Sequence, residues 1–172
     1  MASRSSASIS QWRKHAVRQL TVVRRSTLAF VEQLPEEEVL RPRTQDRWSF
    51  KDVLGHLLTC DEETVRRLRL IARDRADRIR WFESMAYADR FNAREVRRVR
   101  RYGLATVLRR MARVRAELVR LFERLPAAAL RDPAHAYTVV SWLPTPGWTH
   151  ERDHVNEVRQ WWRERGRELR AR

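Results

Sequence analysis

The sequence predicts an all-α fold, a four-helix bundle, and three observations carry that prediction. Only 4 glycines and 6 prolines interrupt 172 residues, too few for a sandwich or barrel of many short strands. Apolar residues recur at spacings of three and four along four long segments, the mark of helices with one buried face. The connections between those segments have mixed lengths, as in bundles with long crossovers. A chain of this length makes one domain with a single core. The Ser-rich residues 1–9 read as a flexible N-terminal segment and residues 10–170 as the domain.

The first helix is expected from Ser10 to Leu34, where Trp12, Ala16, Leu20, Val23, Thr27, Phe30, Val31 and Leu34 make one stripe and Pro35 ends it. The stretch from Pro35 to Arg47, with three consecutive acids and Pro42, reads as a connecting loop. Ser49 is placed to cap the second helix, with Asp52 three residues on able to close a capping box and Trp48 and Val53 at the two positions of a hydrophobic staple. Phe50, Val53, Leu54, Leu57, Leu58, Thr64, Val65, Leu68 and Ile71 then keep the helical period. Further on, Asn92-Ala93-Arg94-Glu95 resembles a capping box, so a short helix is expected from Asn92 to Gly103, closed by a left-handed glycine. Val107, Leu108, Met111, Val114, Leu118, Leu121, Phe122 and Leu125 form the third long stripe, which Pro126 closes. Pro126 to Thr145 reads as a long loop, and such loops are often functional covers. Thr145 as cap and Pro146 at the first helical position open the last helix, through His150, His154, Val158, Trp161 and Trp162.

Bulk composition narrows the function classes. Cys60 is the single cysteine, so no disulfide can form within the chain and a reducing, cytoplasmic setting is expected. No run approaches the roughly 20 apolar residues of a membrane span, and Met1 to Ser10 lack the apolar core of a signal peptide. The net charge is +15, which attracts polyanions in general. The basic residues are arginine except for Lys14 and Lys51, a choice that codon composition explains without a partner. They are also spread over all the helices, which favours solvated arginine over a nucleic-acid footprint.

The chemistry-bearing pattern is His150-Glu151-Arg152-Asp153-His154. Residues four apart share one helix face, one turn apart, so two imidazoles can reach one ion. Val158 and Trp161 continue the same face, so the pair extends an inward stripe. His56 lies mid-helix at the edge of the second stripe, with Gly55 leaving room beside it. A third imidazole from that helix would complete a three-histidine site with open positions. On spacing alone, His56 as a hydrogen-bonded core histidine and an H-x3-H pair arising by chance both stay open. Cys60, one turn after His56, is either a nucleophile or soft ligand or, more simply, a small core residue. Asp153 and Glu157 are candidates to orient an imidazole. Trp142, Trp148, Trp161 and Trp162 suit an apolar pocket, the core or an interface between copies. His15 and His135 have no companion at ligand spacing.

Three segments together resemble the DinB/YfiT-like superfamily of bacterial four-helix bundles. They are Trp48 to Leu57, Asp89 to Ala93 with the Val107–Leu125 helix, and His150 to Trp161. The resemblance implies a divalent metal ion, nickel or zinc, on His56, His150 and His154, and often a homodimer. It also implies a small-molecule substrate, in some members a low-molecular-weight thiol such as bacillithiol or mycothiol. Relatives include maleylpyruvate isomerase and hydrolytic self-resistance proteins. The first expectation is therefore a metal-dependent transferase or hydrolase with no assignable general base. A non-catalytic metal- or ligand-binding stress protein is the alternative, and a nucleic-acid-associated helical protein the third reading.

Overall fold

The helix that carries His56 begins where its capping residues place it. In the computed structural model, which describes residues 2–43, 48–132 and 137–170, it spans Phe50–Ile71. The Ser49 hydroxyl accepts from the Asp52 amide at 3.1 Å, and the Asp52 carboxylate accepts from the Ser49 amide at 2.9 Å. Both halves of the capping box are thus made, satisfying two amides that the first turn leaves without helical partners. At the far end Asp74 takes a left-handed conformation, φ 54°. The Arg75 amide then reaches the Leu70 carbonyl, and that of Asp74 the Ile71 carbonyl, a Schellman closure in which a short polar side chain replaces glycine.

Seven α-helices are present among the described residues: α1 (Ala2–Val31), α2 (Glu36–Leu40), α3 (Phe50–Ile71), α4 (Met85–Arg100), α5 (Leu104–Arg124), α6 (Val139–Trp142) and α7 (His150–Arg170). No strand occurs among them. The four long helices α1, α3, α5 and α7 form the bundle. Helix α3 packs along α5 and touches α7, while α1 lies against α5 and α7. Each long helix thus has two long neighbours, and α3 and α7 meet as the histidine reading required. Helix α4 covers α3 from outside, and α2 packs on it as well. Helix α3 is therefore buried on almost every side, with Leu54, Leu58 and Leu68 wholly enclosed. An edge position such as His56 still points inward for that reason.

Several boundaries differ from the sequence reading. Helix α1 starts at Ala2, ahead of Ser10; residues 2–9 contain no proline or glycine, and Ile9 is buried. The supposed loop after Pro35 contains α2, whose Glu36, Glu37 and Glu38 occupy the first turn. Acids there complement the amide end of the helix, and Val39 is buried beneath it. Helix α4 starts at Met85, not at Asn92, because Ser84 caps it by accepting from the Tyr87 amide. Asn92 is mid-helix. Gly103 is extended (φ −65°, ψ 156°) and is the N-cap of α5, so it closes nothing in the left-handed form. The connection after Pro126 holds a 3₁₀ turn (Ala128–Leu130) and α6. Thr145 does not cap the last helix. Thr145–Thr149 forms a π-type turn, and α7 follows it directly. Residues 133–136, with His135, and residues 44–47 lie outside the described residues.

Gly55 makes room for α4, not for His56. A Cβ at that position would stand 2.8 Å from Val99 Cγ1 and 3.2 Å from Val99 Cβ. Valine in a helix is held in one rotamer, so it cannot swing away. Gly55→Ala is therefore expected to destabilise by about 1–2 kcal/mol through overpacking, although alanine is the better helix former. Combined with Val99→Ala it should cost less than the sum of the single changes. Urea denaturation of the four proteins measures this, and a Gly55→Ala variant as stable as the parent would remove the close crossing.

Candidate metal centre

The π turn at Thr145–Thr149 leads straight into His150, and such turns recur at functional sites. From there α7 presents His150 and His154 on the face toward α3, where His56 waits. The His56 and His150 Nε2 atoms lie 3.2 Å apart, and those of His154 and His150 2.9 Å. Among the described residues these three form the group whose donor atoms all fall within 4.8 Å of one another. Imidazoles sharing one ion at about 2.1 Å have nitrogens roughly 3.0–3.4 Å apart, so the spacing fits. His56 is buried, and His150 and His154 are half-buried.

The electrostatics suit ligands. Burial, reinforced by the neighbouring His150 and His154, pushes the His56 imidazolium down to about 3. Burial and then His154 lower His150 to about 4, against the raising influence of Asp153, Glu151 and Glu157. Both rings are therefore neutral near pH 7 with a lone pair to offer. Their outer nitrogens are treated differently. His150 Nδ1 stands 3.9 Å from Cys60 Sγ. His154 Nδ1 is 3.5 Å from the Glu157 carboxylate, the kind of contact that orients a ligating ring. Asp153 contributes only its charge beside His150. His56 Nδ1 is buried without a hydrogen-bond partner.

Cys60 stands beside the triad without joining it. Its sulfur is also 3.9 Å from His56 Nε2, yet it is not one of the convergent donors. Burial and the adjacent Asp61 push its thiol up to about 12, so it is protonated and poorly nucleophilic on its own.

Beside the centre lies a cleft of about 480 Å³ that His56, Cys60 and His150 line together with Trp81, Phe82 and Trp142. Of the four tryptophans weighed from sequence, Trp142 lines this cleft, Trp148 is core beside His15, and Trp161 and Trp162 pack at the core's margin. Two wall residues, Trp81 and Arg67, carried no sequence signal, because they belong to an irregular connection and an arginine-rich helix face.

The larger omission lies behind the triad. Arg24 of α1, Asp61 of α3, Arg115 of α5 and Glu151 of α7 form one buried network. Arg24 donates to Glu151 at 2.9 and 3.1 Å and to Asp61 at 3.0 Å. Arg115 donates to Asp61 at 2.9 and 3.0 Å, to Glu151 at 2.7 Å and to the Gly147 carbonyl at 2.7 Å. The Thr27 hydroxyl adds a bond to Glu151 at 2.7 Å. Burial alone would raise the Glu151 carboxyl, but the charge and hydrogen bonds of Arg24, then Arg115 and Thr27, hold it below its ordinary value. The network ties all four long helices together and fixes the residue next to His150. It also corrects the reading of the arginines as a solvated set. On α3 to α5, Arg66, Arg98, Arg100 and Arg110 pair with Glu63, Glu62, Glu95 or Asp52, so these four are neutralised locally.

A helical bundle that gathers three histidines from two neighbouring helices, two of them lining an apolar cleft, defines a class, bundles built around a candidate trihistidine metal centre. Within that class the chain belongs to the DinB superfamily, whose family model matches residues 19–158. The match runs from α1 to the middle of α7 and includes all three histidines. No curated protein and no solved structure matches the chain significantly. Among the described residues no helix is long and apolar enough to cross a membrane.

Proposed function

We propose that the protein binds one divalent metal ion through His56, His150 and His154 and uses it on a small molecule, as a metal-dependent transferase or hydrolase. The observation that carries this reading is the meeting of three imidazole nitrogens, 2.9 and 3.2 Å apart, with His56 and His150 lining a cleft. An all-imidazole donor set suits zinc or nickel. Three protein ligands leave further positions open, the arrangement of catalytic rather than structural sites. When bound, such an ion acts as a Lewis acid and lowers the pKa of a coordinated thiol or water.

The chain's own residues supply the setting. Glu157 and Cys60 stand 3.5 and 3.9 Å from the outer nitrogens of His154 and His150, whose Nε2 atoms turn inward. Trp81, Phe82 and Trp142 surround the approach with apolar surface and restrict water. No carboxylate lines the cleft among the described residues, so the nucleophile would have to give up its proton through its own low pKa on the ion. That favours a thiol as nucleophile over a water needing a general base. The same observation supports a second reading, a bundle that binds metal and ligand without turnover. A low-molecular-weight thiol offered with a panel of electrophiles separates the two, since turnover by metal-loaded protein excludes pure binding.

The site itself is tested by elemental analysis. The purified protein is expected to hold about one equivalent of zinc or nickel, and His150→Ala less than about a tenth, because loss of one of three ligands removes most of the chelation. Equal metal content in the two proteins, or none in the parent, would sink the site.

A further inference from the structure

We propose that Arg67 is the anion-recognition group of the cleft, taking the carboxylate of a small, largely apolar acid whose other end faces His56 and His150. The inference deepens the reading of the cleft as a substrate site and rests on it.

Arg67 lies in α3 and is only 8% exposed, yet its Nη2 has no hydrogen-bond partner. Its Nε donates to Glu63 at 2.8 Å. Its guanidinium lies over two rings, with the central carbon 4.7 Å from the Trp81 centroid and 5.1 Å from that of Phe82. The unpartnered Nη2 belongs to a guanidinium edge, the part that matches a planar carboxylate. The Trp142 ring is 5.9 Å away, lines the same cleft, and its Nε1 is likewise buried without a partner. Two unpartnered N–H donors in one wall are costly unless something occupies them.

The local charge points the same way. Glu63 is the one acid bonded to Arg67, and it is shared with Arg66 through two bonds of 2.7 and 2.8 Å. Two arginines against one carboxylate leave a net positive charge. Reach also fits. Arg67 follows His56 by eleven residues along one helix, about 16 Å at the helical rise, and its bond back to Glu63 brings the head roughly one turn closer, to about 11 Å. A ligand spanning that gap has an anionic end, an apolar middle against Trp81 and Phe82, and a donor end at the histidines.

The probes are 3-phenylpropanoate and its neutral twin 3-phenylpropanamide, titrated calorimetrically into metal-loaded and chelator-treated protein. Carboxylate is expected to bind about tenfold or more tightly than amide in both forms, the usual gain of a charge-assisted pair. Arg67→Met should bring the two within about twofold, weakening the carboxylate far more than the amide, with metal content unchanged. A merely structural role for Arg67 would instead weaken both probes by the same factor and keep their ratio. The preference in metal-free parent protein also stands without any variant, should Arg67→Met fail to fold. Equal affinity for acid and amide, no binding of either, or a preference that vanishes with the metal would overturn the proposal, the last because the acid then sits on the ion. If no metal is found but the preference persists, the metal reading fails and Arg67 keeps its role.

Discussion

Glu151→Ala is expected to destabilise the protein by about 3–5 kcal/mol, the range for removing one partner of a buried ion pair. The side chains of Glu151 and Asp61 have no exposure at all, and those of Arg24 and Arg115 have 5–6%. Removing Glu151 strips both arginines of one acceptor each and leaves two guanidinium charges against a single carboxylate in a dry interior. The contrast is with exposed pairs such as Arg66–Glu63, where the arginine side chain is 46% exposed and loss should cost under about 1 kcal/mol. For a domain of this size the Glu151 effect corresponds to a fall of about 10 °C in the thermal midpoint. Chemical denaturation and calorimetry of the two variants, Glu151→Ala and Arg66→Ala, which leaves Glu63 its bond to Arg67, measure the ratio. Costs within a factor of two of each other would show that the four buried charges do not act as a unit.

This network also shows where the sequence was readable and where it misled. Helix α3 announced itself because Ser49, Asp52, Trp48 and Val53 sit at fixed offsets, and local hydrogen bonds decide a helix start. The start of α4 misled because Asn92 and Ser84 both have the right chemistry, and the earlier cap won once the intervening residues could also be helical. The buried charges were hidden by a rule of thumb, that arginine and glutamate belong outside. Their spacing told otherwise. Arg24 lies four residues after Leu20 and three before Thr27, and Arg115 four after Met111 and three before Leu118. Asp61 sits four after Leu57, and Glu151 four before Val155. Two cations and two anions on the apolar stripes of four helices are a complementary set, legible only when the helices are considered together. The triad divides in the same way. His150 and His154 follow from the period of one helix, whereas His56 needs the knowledge that α3 and α7 are neighbours.

His56→Leu is expected to act with opposite sign on the two states of the protein. In chelator-treated protein it should leave stability unchanged or raise it by up to about 2 kcal/mol. The imidazole is buried with one nitrogen unpartnered, and an apolar side chain of similar volume removes that desolvated polar group. With zinc present the order should reverse. A ligand that binds only the folded chain stabilises it by about 4 kcal/mol at a thousandfold excess over its dissociation constant, and loss of one of three imidazoles removes most of that gain. A core histidine whose role is packing predicts neither result, since its replacement would cost the same with and without metal. Thermal unfolding of parent and variant, each with excess zinc and each with chelator, gives the four midpoints required. Should the variant fall by the same margin in both conditions, His56 would be a structural residue and the centre would reduce to the His150–His154 pair. Should zinc raise both midpoints equally, the ion would be bound elsewhere. The crossing of the two orders is the specific signature of a histidine kept in the interior, at some expense to the metal-free fold, for the sake of the ion.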